Sequence, residues 1–308
     1  NNFEVVIIDD LSNTEKFILK NIEEITGKKP IFYPFDLKRK ELLKQVFDAH
    51  KIEGCIHFAA YKAVGESQEK PIDYYENNLF SLINLLQEMK ERNISNFIFS
   101  SSCTVYGQAD TMPIDENTPL KLPESSYGKT KQMGEEILKD FATAHQKKVT
   151  LLRYFNPIGA HPSAKLGELP IGIPNNLVPY VMQTAAGVRE KLSVWGNDYP
   201  TEDGTAIRDY IYVVDLAKAH VKALQKLISE NSETLVDIYN LGTGKGSSVL
   251  EVVHAFEKAN DVAVPYQICE RRAGDITIAY ANADKAEKEL GWKSETSLEE
   301  ALRTVWQW

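Results

Sequence analysis

The chain has 308 residues, a formal net charge of −9, 43% hydrophobic and 26% charged residues, which suits a globular protein with one large α/β unit or two lobes. Its acidity argues against a nucleic-acid backbone as partner, which calls for a basic stripe, and no apolar run approaches the ~20 residues needed to cross a bilayer. The three cysteines form no C-x-x-C pair and the six histidines no metal-ligand spacing, so neither a disulfide framework nor a metal site is expected.

An anionic small molecule remains open as a ligand, because a few local arginines outweigh the global field inside a cleft. With no secretory signal at its start, the chain is expected in the cytoplasm.

Glu4-Val5-Val6-Ile7-Ile8-Asp9-Asp10 is a continuously apolar, β-branched run ending in acids, which reads as a buried parallel strand. Similar runs follow at Ile31 to Tyr33, Gly54 to Ala60, Asn96 to Ser100 and Val149 to Arg153. Helical patterns lie between them, among them Leu42 to His50, Ile72 to Arg92 and Tyr127 to Gln146. This alternation predicts an α/β fold with a doubly wound, Rossmann-like parallel sheet and right-handed crossovers. Ligands of such sheets sit beyond the carboxyl ends of the strands. Asp9, Asp36, Phe58 to Lys62 and Ser100 to Ser102 all fall there.

Asp9 closes the first run, where dinucleotide folds place an acid that binds the ribose hydroxyls of NAD and repels the extra phosphate of NADP. That acid normally follows a glycine-rich turn by about 20 residues. Counting back from Asp9 runs off the front of the chain, so an N-terminally incomplete chain is expected. A protein that never had the loop is the alternative. Taken in isolation, Asp9 reads better as a plain turn former at a strand end.

Ser125-Ser126-Tyr127-Gly128-Lys129-Thr130-Lys131 opens a helix on which Tyr127 and Lys131, four apart, share a face. A free phenol titrates near ~10; to act as a general base at neutral pH it needs a shift of roughly 3 units. A neighbouring ammonium favours the phenolate. Tyr-x-x-x-Lys can therefore hold a proton acceptor ready for an alcohol. A packed aromatic beside a solvated amine satisfies the same spacing.

After Arg153 the alternation loosens into a loop-rich region, in which Asn175 or Asn176 is expected to cap a helix through Gln183. Strands are expected at Leu192 to Trp195 and Ile211 to Val214, and helices near Asp215 to Ile228, Ser248 to Lys258 and Leu298 to Val305. Gly242-Thr243-Gly244-Lys245-Gly246-Ser247 looks like a phosphate loop, but Lys245 is followed by Gly where a Walker loop needs Ser or Thr. A tight turn at a helix start explains it better. His57 reads as a core or strand-end histidine rather than a catalytic one.

With Tyr127 and Lys131 placed after Ser100-Ser101-Ser102-Cys103-Thr104-Val105-Tyr106-Gly107, the chain resembles the extended short-chain dehydrogenase/reductases. His57 to Ser67, Leu151 to Pro162, Gly196 to Thr205 and Arg208-Asp209-Tyr210-Ile211 narrow the resemblance to the UDP-glucose 4-epimerases, and it runs from Val5 to the last helix. The resemblance implies an NAD-dependent isomerase that transiently oxidises a UDP-hexose at C4. It makes Tyr127 the base, Lys131 its electrostatic partner and ribose ligand, and Ser102 a hydrogen-bonding relay to the sugar 4-oxygen. Asp9, Asp36, Leu37, Phe58, Ala59, Lys62, Asn77 and Phe155 match NAD-binding positions, with Ser102, Tyr127 and Lys131 also on that side. Asn156, Asn176, Leu177, Trp195, Arg208, Arg272 and Asp275 match the UDP-sugar site. Arg208 and Arg272 suit a diphosphate and Trp195 offers a flat apolar face; alone, either arginine reads as a surface ion pair.

The implied division is an NAD-binding domain over 1–156, with 208–242 a candidate to return to it, and a smaller, mainly substrate-binding lobe over 157–308. Four residues after Asp275, family members restricted to UDP-glucose and UDP-galactose carry a tyrosine that fills the sugar pocket. Here the position is Ala279, with Tyr280 beside it, which implies room for an N-acetyl group; a one-residue slip putting Tyr280 in the pocket is the competing reading. Another nucleotide-sugar enzyme of the superfamily, a 4,6-dehydratase or decarboxylase, is the alternative activity. Dehydratases carry an Asp-Glu pair where this chain has Cys103-Thr104. A non-catalytic nucleotide-sugar binder is the alternative of a different class. The helices near Ile72 to Arg92 and Tyr127 to Gln146 pair across the family's dimer, so a homodimer is expected by resemblance.

Overall fold

A computed structural model describes residues 3–229, 234–272 and 275–308. In chain order the elements begin β1 (Val6–Asp9), α1 (Ile18–Thr26), β2 (Ile31–Pro34), α2 (Lys40–Ala49), β3 (Gly54–His57), α3 (Val64–Glu69), α4 (Pro71–Glu91) and β4 (Asn96–Ser102). There follow α5 (Ser126–His145), β5 (Lys148–Tyr154), β6 (Asn156–Ile158), α6 (Leu177–Ala185), β7 (Leu192–Trp195), β8 (Ile207–Arg208) and β9 (Tyr210–Tyr212). The rest are α7 (Val213–Ser229), β10 (Val236–Leu241), β11 (Ser247–Ser248), α8 (Val249–Asn260), β12 (Tyr266–Cys269), β13 (Ile278–Ala279), α9 (Asp284–Leu290) and α10 (Leu298–Gln307).

The chain divides into two compact units: Asn1–Gly107 with Leu120–Arg153 and His220–Tyr239, and Gln108–Pro119 with Tyr154–Ala219 and Asn240–Trp308. The division is thus more interleaved than one cut at residue 156. Residues 108–119 go with the second unit, and of the stretch 208–242 only 220–239 goes with the first.

The first unit holds the strands the apolar runs announced. β10, β5, β4 and β3 lie side by side in that order, and β1 pairs parallel with β2. β3 and β4 are parallel, with Gly54 opposite Asn96 and His57 opposite Phe99. Leu82, Leu85, Leu86 and Met89 of α4, and Leu138, Phe141 and Ala142 of α5, bury against Phe97 and Phe99 of β4 and Val149 and Leu151 of β5 in one core. Apolar residues three and four apart on each helix face the alternating residues of the strands. α5 starts at Ser125, whose hydroxyl accepts from the Gly128 N–H at 3.1 Å, a regular N-cap. α5 also lies unusually close to β4, since a Cβ on Gly134 would come within 2.8 Å of the Phe99 ring.

In the second unit β7 pairs parallel with β12, β6 with β9, and β8 lies between β11 and β13. Val252, Val253 and Phe256 of α8 and Ala301, Leu302 and Val305 of α10 share a core with β7 and β9.

Two sequence expectations change here. Ile211 to Val214 is not one strand: β9 ends at Tyr212 and α7 begins at Val213. Asn176 stands at the N-cap position of α6, but its side chain makes no cap bond. Its amide donates instead to Glu168 Oε1 at 2.9 Å.

Candidate active site

β4 ends in Ser102, and α5 packs against α4 and β4, so Ser102, Tyr127 and Lys131 are all carried by elements that share one core. All three are buried, Lys131 to 5% exposure. The Lys131 ammonium lies 5.9 Å from the centre of the Tyr127 ring and 4.9 Å from that of Phe99, and donates to the Ser100 carbonyl at 2.7 Å. Burial pushes its pKa down to about 8, while the Glu135 carboxylate one turn further along α5 pulls the other way. Ser102 Oγ accepts from the Thr104 N–H at 3.2 Å and the Thr104 hydroxyl at 3.0 Å, capping the short 3₁₀ turn Cys103–Tyr106. Its own O–H is a further donor.

His57 is buried and stacks on Phe99 at 6.1 Å between ring centres. Burial first, and then the Lys131 charge, hold its pKa down to about 3, so the imidazole is neutral. It acts as a wall of the core.

Of the residues matched to NAD, Asp9, Asp36, Leu37, Phe58, Ala59 and Lys62 lie at or just past strand ends in the first unit, Asn77 lies on α4, and Phe155 is buried in the second unit. Asp9 closes β1 and Asp36 lies two residues past β2; each takes a backbone N–H two residues on, from Leu11 at 2.7 Å and Lys38 at 2.8 Å. Asp36 also pairs with the Lys38 ammonium at 3.5 Å. Asn84 on α4 donates to the Leu37 carbonyl at 3.1 Å, which holds that loop to the core. Phe58, just past β3, is 56% exposed with its ring 4.7 Å from that of His220, and Ala59 and Lys62 are exposed beside it. Asn77 donates to Asn78, which in turn donates to Thr130 on α5. This donor set fits a dinucleotide: carboxylates for ribose hydroxyls, bare apolar faces for planar rings, and an ammonium beside Tyr127.

In the second unit, Trp195 ends β7, Arg208 ends β8 in register with Ala279 of β13, and Arg272 follows β12. The Arg272 guanidinium sits 5.9 Å from the Trp195 ring centre and is bonded through two nitrogens to Asp275, at 3.0 and 3.3 Å. Arg208 donates to the Ile207 carbonyl at 2.8 Å. Asn156 opens β6, while Asn176 and Leu177 lie at the start of α6.

The glycine-rich turn at 242–247 wraps an anion of the chain itself. The N–H groups of Thr243 and Gly244 and the Thr243 hydroxyl all donate to the Asp209 carboxylate, as does Ala281 N–H. A Cβ on Gly242 would fall 2.4 Å from Asp209 Oδ2, so only glycine admits the carboxylate. The turn has the donors of a phosphate loop and spends them on an internal acid.

A parallel α/β sheet with a serine at one strand end and a Tyr-x-x-x-Lys pair on the following helix defines an extended short-chain dehydrogenase/reductase. A family model described as GDP-mannose 4,6 dehydratase matches residues 1–305. A UDP-glucose 4-epimerase of Bacillus subtilis (strain 168) is 52% identical over 307 residues, covering 99% of this chain and 89% of that one. The crystal structure of UDP-glucose 4-epimerase from Bifidobacterium longum with NAD+ and UDP superposes with a TM-score of 0.95 at 47% identity, covering 100% of this chain and 91% of that one. The Stenotrophomonas maltophila enzyme, with NAD and formylated UDP-arabinopyranose, gives 0.95 at 44%, covering 100% and 90%. The chain belongs to the UDP-glucose 4-epimerase family. The dehydratase name of the broader model fits less well, since Cys103 and Thr104 stand where the dehydratases carry an acid pair.

The sequence reading did not single out Glu135 and Arg153. Glu135 continues the four-residue step of Tyr127 and Lys131, a signal that was present; that Arg153 of β5 meets it is a tertiary fact.

Proposed function

We propose that this chain interconverts UDP-glucose and UDP-galactose by removing and restoring hydrogen at C4, with Tyr127 as the proton acceptor, Lys131 as its electrostatic partner and Ser102 as the hydrogen-bonding group on the sugar 4-oxygen. The buried Tyr127–Lys131 pair carries the proposal: a cation held off water by Phe99 and anchored on the Ser100 carbonyl has little to do for stability and much to do for a neighbouring phenol. NAD, when bound, supplies the hydride acceptor that becomes the donor for the return step. Tyr127 takes the hydroxyl proton as the 4-keto sugar forms and gives it back after the sugar has turned over. Asp9 and Asp36 would hold ribose hydroxyls, and Phe58 would cover a ring. In the second unit Arg208 and Arg272 would take the diphosphate and Trp195 would lie along the nucleotide.

Incubating purified protein with UDP-glucose and resolving the sugar nucleotides tests this. UDP-galactose at the equilibrium ratio, without net consumption of NAD, is expected. A 4-keto-6-deoxy product would mean a dehydratase, and protein that holds nucleotide without turnover would mean a binder.

Substrate range follows from Ala279. Its register partner is Arg208, and the next residue, Tyr280, packs alongside Gly246, where a Cβ would approach its ring to 3.3 Å. Alternation along an extended chain sends successive side chains to opposite faces, which favours alanine over Tyr280 at the sugar position and supports activity on the N-acetylated UDP-hexoses. Ala279→Tyr is expected to abolish N-acetyl turnover and keep the plain sugars; equal N-acetyl rates in both proteins would remove the idea.

A homodimer is supported by large apolar side chains exposed on paired helices, Ile72 and Phe80 on α4 and Met133 on α5. Light scattering of Phe80→Glu against wild type would detect the loss of the second copy. A cytoplasmic location is supported by three free cysteines, and among the described residues no helix is long and apolar enough to cross a membrane.

A further inference from the structure

Tyr127, Lys131 and Glu135 stand at successive four-residue steps on α5, and therefore on one face. Glu135 is 0% and Arg153 2% exposed. Arg153 grips the carboxylate with two nitrogens, at 2.8 and 2.5 Å, and the Ser101 hydroxyl donates to the same carboxylate at 2.6 Å. The third side of the guanidinium donates to the Tyr106 hydroxyl at 3.0 Å. Burial works against the charge on Arg153, but Glu135 and Tyr106 more than offset it and hold the group firmly protonated. A buried ion pair seldom adds stability over apolar side chains of the same volume. This one lies directly beyond Lys131, on the same helix, and its serine is the residue before Ser102.

The groups around Lys131 come from every packed element: Tyr127 and Glu135 on α5, the Ser100 carbonyl and the Phe99 ring on β4, neutral His57 on β3, and Arg153 on β5 behind Glu135. Among these Glu135 is the one carboxylate. We infer that Glu135, fixed by Arg153 and Ser101, is a positioning residue that keeps Lys131 charged and so sets the upper pH limit at which Tyr127 can work. The inference rests on the proton-transfer role proposed above for Tyr127 and Lys131. Arg153 prevents the carboxylate from swinging onto the lysine itself, which leaves the ammonium free for the phenol and the cofactor side.

Glu135→Gln, Glu135→Asp and wild type, each with bound NAD, test it through the pH dependence of kcat and through melting temperature from pH 6.5 to 10.5. Lys131 titrates near 8 folded and near ~10.4 unfolded. Between those values the unfolded chain binds more protons, so this group's contribution to stability rises with pH across the window and is lost as pH falls through it. Subtracting the curve of a matched Lys131→Met protein isolates that rise. In Glu135→Gln the rise is expected to begin about 1 pH unit lower, and the alkaline limb of kcat to fall by a similar shift. Glu135→Asp, which keeps the charge, should retain the wild-type limb even if it melts earlier. If Glu135→Gln fails to fold, Glu135→Gln/Arg153→Met removes the orphaned cation and is read in the same way, with the same direction expected. An unmoved limb and an unmoved onset, with only a lower melting temperature, would make the pair purely structural and overturn the inference. Tyr127→Phe separates the two levels: if it stays active, the proton-transfer role fails; if it is inactive while the Glu135 profiles are unmoved, only the inference about Glu135 fails.

Discussion

Two arginine sites of this chain, Arg153 and Arg272, use the same side chain in opposite ways. Arg153 in the first unit is sealed from water, gripped by Glu135 and stacked over Tyr106 with its guanidinium 4.9 Å from the ring centre. Arg272 in the second unit is 54% exposed and holds Asp275 along one edge only. In a low-dielectric interior a charge acts strongly on its neighbours and cannot be removed without leaving its partner stranded. In water the same pair is screened and exchangeable. The first unit therefore carries a fixed field, suited to tuning a proton transfer. The second carries cations that a ligand anion can claim at little cost, suited to binding.

Three experiments break or sharpen that contrast. The largest effect is expected from Tyr127→Phe, which should lower kcat by about 10³-fold while leaving the sugar nucleotide's Kd within about twofold, as read by rapid-quench turnover and titration calorimetry. A loss in Kd instead would mean that the first unit binds rather than reacts. Next comes Arg153→Met, which strands Glu135 and should cost about 3–5 kcal/mol in urea unfolding. The exposed pair of Arg271 with Asp198, 2.6 Å between them, gives the control: Arg271→Met should stay within about 1 kcal/mol. Equal costs would erase the distinction between the two regions. The smallest is Arg272→Lys, which keeps the charge but loses the two-nitrogen fork. KM should rise about tenfold with kcat nearly unchanged, in steady-state assays on the UDP-sugar; a fall in kcat alone would move Arg272 into the chemistry.

Much of the first unit was legible in the sequence because its strands read as unbroken apolar runs, as Phe97 to Ser100, buried on both faces, shows best. The first run was expected to be a buried strand, but Val6 to Ile8 of β1 are only half-buried and Asp9 is exposed, and Cys55 and Ile56 of β3 are half-buried before the buried His57. Helix α1 was not predicted, although Ile18, Ile22 and Ile25 recur at helical spacing and Gly27 ends it in the left-handed region; it buries none of its residues and has no side-chain N-cap. Val213 and Val214 were read as strand because β-branched residues favour one, yet they open a helix whose first turn gains Asp215. Tyr127 and Lys131 were visible as a pair through helical spacing alone. The glycine-rich turn was correctly doubted on its missing hydroxyl residue, but nothing local named Asp209, 34 residues away in the Thr243 bond, as the anion it encloses.

By itself the sequence determined the alternating α/β order, the family, and the residue types at the positions proposed to react, because each is written in short-range periodicity or in segments a few residues long. Tertiary structure alone decided what surrounds them: that Lys131 is stripped of water against Phe99, that Glu135 finds Arg153 across 18 residues of chain, and that Ala279 stands beside Arg208. Those outcomes depend on desolvation and on long-range pairing, and both come into being only when separate elements close over one another.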